Sequence, residues 1–174
     1  PDDRDQPGTV RLVESSALQP GLALLDAPDI DSVVSAKRSL AGQLLQAADM
    51  WVFVTTAARY ADEVPWDLLR AASDRGTAVA IVLDRVSPED ITEVRPHLVE
   101  MLREQGMGTS PVFTVPETTL TSEGLLPAEA LGRLGAWLEA LSSDQRARDI
   151  IVSHTLKGAL SSLGQRTDSV IAAA

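Results

Sequence analysis

The sequence has no cysteine and two histidines, His97 and His154. Disulfide frameworks and thiolate metal sites are excluded, and two imidazoles alone are a poor start for a zinc site. A cysteine-free chain fits the cytoplasm. Basic residues are scarce: 15 Lys+Arg stand against 25 Asp+Glu, a formal charge of -10. That balance opposes phosphate backbones and anionic lipid surfaces, so nucleic acid is not an expected partner. No apolar run approaches the 18 or so residues of a membrane span, and the polar, acidic start at Pro1 to Gly8 is unlike a signal peptide. The chain opens on Pro1 rather than methionine, which reads as a fragment or a processed product.

What is present is enough for one ordinary core: 174 residues, 44% of them hydrophobic. Val10 to Ser15 reads as a partly exposed strand, joined through Gln19-Pro20-Gly21 to a short apolar strand, Leu22 to Leu25, that ends at Asp26. Residues 36 to 48 carry Leu40, Leu44, Leu45 and Ala48 at helical spacing. Met50 to Val54 is a continuous apolar run of buried-strand length. Pro65 opens a helix carrying Trp66, Leu68, Leu69 and Ala72, and Gly76 follows as its C-terminal cap. Ala78 to Leu83 is the next buried strand. A helix from Pro88 to Gln105 and a short strand at Val112 to Val115 complete the alternation. Beyond Pro116, Pro127 to Leu141 and Asp144 to Ala173 read as helices with no strand between, the second weakened by Gly158 and Gly164. The expected fold is α/β: a three-layer, doubly wound, mostly parallel sheet followed by C-terminal helices. Its body is expected over residues 1–142 and a helical extension over 143–174.

In open parallel sheets, ligands sit beyond the carboxyl ends of strands. Asp26 ends a strand and enters the proline-containing loop Ala27-Pro28-Asp29-Ile30-Asp31-Ser32. A carboxylate there can hold magnesium through water. Asp29 and Asp31 are site candidates or simply helix-capping loop residues. Thr55, Thr56 and Arg59 follow the Met50 strand and are candidates for the same crevice, although threonine also suits strands and turns. Asp84 and Arg85 follow the Ala78 strand. Arg85 reads as a surface ion pair or as a base contact through its guanidinium. Trp51, Phe53, Trp66 and Trp137 are most simply core residues.

Asp26-Ala27-Pro28-Asp29 is similar to the Asp-x-x-Gly motif of GTPases, with Asp29 where the glycine stands. The run Trp51-Val52-Phe53-Val54-Thr55-Thr56-Ala57-Ala58-Arg59-Tyr60-Ala61-Asp62, then Val64-Pro65-Trp66-Asp67-Leu68-Leu69 and Val82-Leu83-Asp84-Arg85-Val86, resembles actinobacterial dynamin-like GTPases over about residues 10 to 142. The resemblance implies a P-loop NTPase-like domain that binds GTP, or ATP, with Mg2+. Asp26 would be the water-mediated magnesium ligand and residues 27 to 33 the switch that senses the terminal phosphate. Leu83-Asp84-Arg85-Val86 falls where the family carries Asn/Thr-Lys-x-Asp, with Asp84, Arg85 and Ser87 in place of the Asn/Thr, Lys and final Asp. Thr114-Val115-Pro116-Glu117 falls at the last base-contacting loop. Self-association or membrane coupling would run through helices outside this chain.

The phosphate-cradling pattern Gly-x-x-x-x-Gly-Lys-Ser/Thr occurs nowhere in these residues, and neither Lys37 nor Lys157 lies in a glycine-rich loop. In the family that loop precedes the segments quoted, so the expectation is an incomplete domain whose missing central strand lies between those ending at Asp26 and Val54, inactive by itself. Two other readings fit parts of the pattern. A receiver domain has an aspartate, a Thr-Ala pair and a basic residue after successive strands, as Asp26, Thr56-Ala57 and Arg85 do here. It also needs an acidic pair after an earlier strand, and only Asp2-Asp3 are available. The other is a degenerate, non-catalytic interaction module.

Overall fold

The structure, a computed structural model, describes residues 11–16, 18, 20–27 and 42–173. Contacts divide the chain into two compact units, Pro1–Ala48 and Asp49–Ala174.

In the first unit the described residues form a turn at Pro20 and Gly21, an irregular segment over 22–27, and a helix α1 over 42–47. The strands expected at Val10 to Ser15 and Leu22 to Leu25 are not formed among the described residues. The physical reason is plain in the burial. Leu12 is 92% exposed and Leu24 68% exposed, so neither segment has the packed face that makes β-branched and apolar residues favour a strand. Asp26 consequently ends no strand; it is exposed in irregular chain. The rest of the expected switch, residues 28–33 with Asp29, lies outside the described residues, as do residues 36–41 of the helix expected ahead of Ala48.

The second unit follows the expected alternation: β1 (Met50–Thr56), α2 (Glu63–Asp74), β2 (Ala78–Val86), α3 (Pro88–Glu104), β3 (Val112–Pro116), α4 (Ala128–Ser143) and α5 (Gln145–Ala173). The three strands form one parallel sheet in the order β1-β2-β3. Central β2 carries an unbroken apolar run from Ala78 to Leu83, of which Val79 to Leu83 are all buried, the pattern of a strand covered on both faces.

Strand period sorts the two faces. Ala80 and Val82 join Phe113 and Val115 of β3 and Leu134 of α4 in one cluster, with Trp137 and Leu138 packed against it. The Phe113 and Trp137 rings meet at 5.0 Å, tilted by 41°. Val79, Ile81 and Leu83 therefore point to the opposite face. Both crossovers step the same way along the sheet, so right-handed connection puts α2 and α3 together on that second face. Trp66, Leu69 and Ala72 of α2 and Leu98 and Leu102 of α3 are buried. Full burial of such a side chain contributes about 1.5–3 kcal/mol, which makes these layers the main support of the unit. The architecture is α/β, a parallel sheet with helices in a Rossmann-like layout.

The change of texture near Ser142 coincides with the short break between α4 and α5, and α5 remains part of the second unit. Thr155 on α5 donates through Oγ1 to the Asp49 carbonyl at 2.6 Å and accepts from the Ala78 amide at 3.2 Å. Asp49 directly precedes β1 and Ala78 begins β2, so α5 crosses the amino-terminal end of the sheet. Three positions on, Gly158 lies against Gly76, which caps α2 at φ 68°. A β-carbon on Gly158 would fall 2.6 Å from the Arg75 carbonyl oxygen and 2.9 Å from the Gly76 carbonyl carbon. Helix and turn touch backbone to backbone there. Among the described residues no helix is long and apolar enough to cross a membrane.

Candidate functional site

All three strands are parallel, so Thr56, Val86 and Pro116 bring their carboxyl ends to one edge of the sheet. The edge is built unevenly. β1 and β2 pair in regular register up to Thr56 opposite Asp84, whereas β2 and β3 shift register between Leu83 and Val86. Within that irregularity Arg85 takes φ 53°, the positive-φ non-glycine residue of the described chain. A side chain in this left-handed region costs roughly 1–2 kcal/mol, and such residues concentrate where a site constrains the backbone. The ladder closes again beyond it, with the Glu117 amide donating to the Val86 carbonyl at 3.3 Å.

The candidate residues separate by face. Thr55 and Thr56 are the last two residues of β1 rather than residues after it, and strand alternation sends them to opposite sides. Thr56 stands directly across from Asp84 on one face. Thr55, opposite Leu83, is buried on the side of α2 and α3. Asp84 is partly exposed and Arg85 largely so, and Arg85 Nε lies 3.7 Å from Asp84 Oδ2. The ion pair weighed for Arg85 thus exists, with its own sequence neighbour, and an exposed pair of this kind contributes little to stability. Ser87, which the resemblance set at a base-reading position, is engaged locally. Its hydroxyl accepts from the Asp90 amide at 3.1 Å and donates to the Asp90 carboxylate at 2.9 Å. That carboxylate also accepts from the Ser87 amide at 3.4 Å, completing a capping box at the start of α3.

Residues 57–62 form the wall beside β1. Arg59 and Tyr60 donate their amides to the Thr56 carbonyl at 3.0 and 2.9 Å, which folds the chain sharply back after the strand. Arg59 Nε pairs with Asp62 Oδ2 at 3.1 Å. Trp66 Nε1 donates to the Tyr60 carbonyl at 2.7 Å, so a buried indole of α2 holds the turn from below. The Tyr60 hydroxyl meets His97 Nδ1 of α3 at 2.8 Å, with the two rings edge to face at 5.7 Å. Tyr60 and His97 did not emerge from the sequence. They lie 37 positions apart, and no local spacing announces such a pair.

Asp84, Arg85, Thr56 and Arg59 therefore share the carboxyl edge of the second unit, whereas Asp26 belongs to the first. The described residues contain no group of three or more His, Cys, Asp or Glu able to hold a metal ion. Magnesium usually keeps several waters and takes one or two carboxylates together with substrate phosphates. The described residues therefore do not by themselves hold a resident Mg2+, and no step is derived through one.

The chain matches no protein-family model, no curated protein and no solved structure.

Proposed function

We propose that this chain is part of the nucleotide-binding, GTP-hydrolysing domain of a dynamin-like GTPase in the cytoplasm, of P-loop NTPase type, and that it is inactive as it stands. The observation that carries the reading is the left-handed Arg85 at the carboxyl end of the central parallel strand. A nucleotide is the ligand class that open parallel sheets hold at this edge, and a strained residue there is the kind that presents a side chain to a ligand. In this reading the Arg85 guanidinium lies over the face of the base. Asp84, an acceptor in its ionised form, takes hydrogen bonds from the base edge, which favours guanine with its ring N–H and amino donors. Thr56 and Arg59 line the neighbouring wall, and Arg59 supplies positive charge toward the phosphates. For Asp26, in the first unit, the role of magnesium contact rests on family resemblance alone. Coupling to self-association or to a membrane rests on family resemblance alone.

Without a glycine-rich loop and its lysine, the phosphates lose their principal cradle. Binding is accordingly expected to be weak and hydrolysis absent. The test is titration of the isotopically labelled chain with millimolar GTP and Mg2+, followed by amide NMR. Shifts are expected at Thr56, Arg59, Asp84 and Arg85 and are expected to vanish in Arg85→Ala. Shifts confined to other elements, or none at all, would defeat the proposal. GTP turnover above that of an Asp26→Ala variant would defeat the claim of inactivity.

A further inference from the structure

The two walls of the carboxyl edge are separated in sequence, yet each is fastened to α3. Residues 85–87 run directly into the helix, because Ser87 is its N-cap and is locked to Asp90. Residues 57–62 reach the same helix from outside, through the Tyr60 hydroxyl on His97 Nδ1. Ten residues of helix between Ser87 and His97 span about 15 Å, with Pro96 inside the helix removing one backbone hydrogen bond beside His97. When Nε2 carries the ring proton, Nδ1 accepts from the phenol, and the edge-to-face ring contact fixes the approach of the two groups. On the other side the same turn is tied to α2 by Trp66 Nε1 on the Tyr60 carbonyl. Tyr60 is thus a rivet between α2, α3 and the turn that carries Arg59.

We propose that the Tyr60–His97 hydrogen bond is a clasp coupling the two walls, so that displacement of residues 57–62 is transmitted through α3 to Asp84, Arg85 and Val86. Tyr60 and His97 are positioning residues in this arrangement, touching no ligand. The significance of the clasp for nucleotide affinity rests on the function proposed above, but the coupling is a property of the chain alone and is tested without any ligand.

The experiment is amide hydrogen exchange, read residue by residue, on the full chain and on Tyr60→Phe, which keeps the ring and deletes the hydroxyl. Exchange is expected to quicken about two- to fivefold, the size of one net hydrogen bond at an accessible position, at residues 57–62 and equally at Arg85 to Ser87. Leu134 and Leu138 of α4, on the opposite face of the sheet, are expected to be unchanged. His97→Phe should give the same pattern, and the double variant no more than either single one, because both delete the same contact. Acceleration confined to 57–62 overturns the coupling. Uniform acceleration that includes α4 overturns it as well, since the bond would then be a general stabiliser. Quickened exchange at both walls in a chain that gives no GTP-induced shifts would sink the nucleotide reading and leave the clasp standing.

Discussion

Replacing Gly158 by alanine puts two opposing effects into one substitution. In a solvated helix the change is favourable by about 1 kcal/mol, because alanine restricts the unfolded chain and glycine does not. Here the new β-carbon would stand 2.6 Å from the Arg75 carbonyl oxygen and 2.9 Å from the Gly76 carbonyl carbon, and closer still to the Gly76 α-carbon. Ordinary contacts of this kind lie near 3.5–4.0 Å, so α5 must retreat by roughly 1 Å. Retreat on that scale stretches the 2.6 Å bond from Thr155 to Asp49 and the 3.2 Å bond from Ala78 beyond hydrogen-bonding range, at about 1 kcal/mol each. Overpacking adds a cost of about 1–3 kcal/mol. The unfavourable effects win, and Gly158→Ala is expected to lose about 2–4 kcal/mol in urea denaturation, or about 4–16 °C in Tm for a chain of this size. Gly164→Ala is the internal control. It lies on the same helix with no atom within 4 Å of its would-be β-carbon, and it is expected to gain about 0.5–1 kcal/mol. If both variants are stabilised alike, α5 does not dock on the sheet, and the account of the amino-terminal edge fails.

Arg85→Gly is expected to be more stable than Arg85→Ala by about 1 kcal/mol, since both lose the guanidinium but glycine alone occupies φ 53° without strain; equal thermal stabilities would refute the left-handed backbone. Ser87→Ala is expected to cost about 1 kcal/mol in chemical denaturation, and adding Asp90→Ala should cost clearly less than the sum of the two single changes because one capping box serves both. Leu134→Ala, in the cluster beneath α4, is expected to lose about 2–4 kcal/mol, whereas Leu160→Ala, 60% exposed on α5, should change stability by less than about 0.5 kcal/mol under the same assay.

The second unit was legible because its signals are periodic and redundant. A continuous apolar run at Ala78 to Leu83 can be satisfied by little besides a covered strand, and Pro65 and Gly76 fall in the first turn of α2, which starts two residues earlier at Glu63, and just beyond its end. Trp51 and Trp66 are buried as expected, and Trp137 packs on Phe113. The Val10 and Leu22 strands failed for the converse reason. Each is a handful of residues with strand composition, and composition of that kind expresses a preference for a packed, pleated surface that these exposed segments do not have. The sequence read Asp84 and Arg85 as following the Ala78 strand, whereas both lie within β2, and it carried no trace of the left-handed conformation of Arg85 at the register shift against β3. Nor did it show that Thr55 and Thr56 part company, because β1 runs two residues further than its apolar stretch. Gly158 looked like a helix weakness, yet its missing side chain is what admits the α2 turn, a contact 82 positions away that no local pattern encodes.

The two ends of the sheet are built on opposite terms. At the amino-terminal end, α5 is seated by Thr155 on both Asp49 and Ala78 and by the glycine contact at Gly76, so backbone groups at the start of β1 and β2 are satisfied and little is left to move. At the carboxyl end the register breaks, Arg85 holds an unfavourable conformation, and the turn beside it is held by the exposed Tyr60–His97 hydrogen bond and the part-buried bond from Trp66. A fold with no use for that edge could relieve Arg85 by a single change to glycine. Under the nucleotide reading proposed above, the strained end is the one where parallel strands would meet a ligand, and the satisfied end is the fixed support.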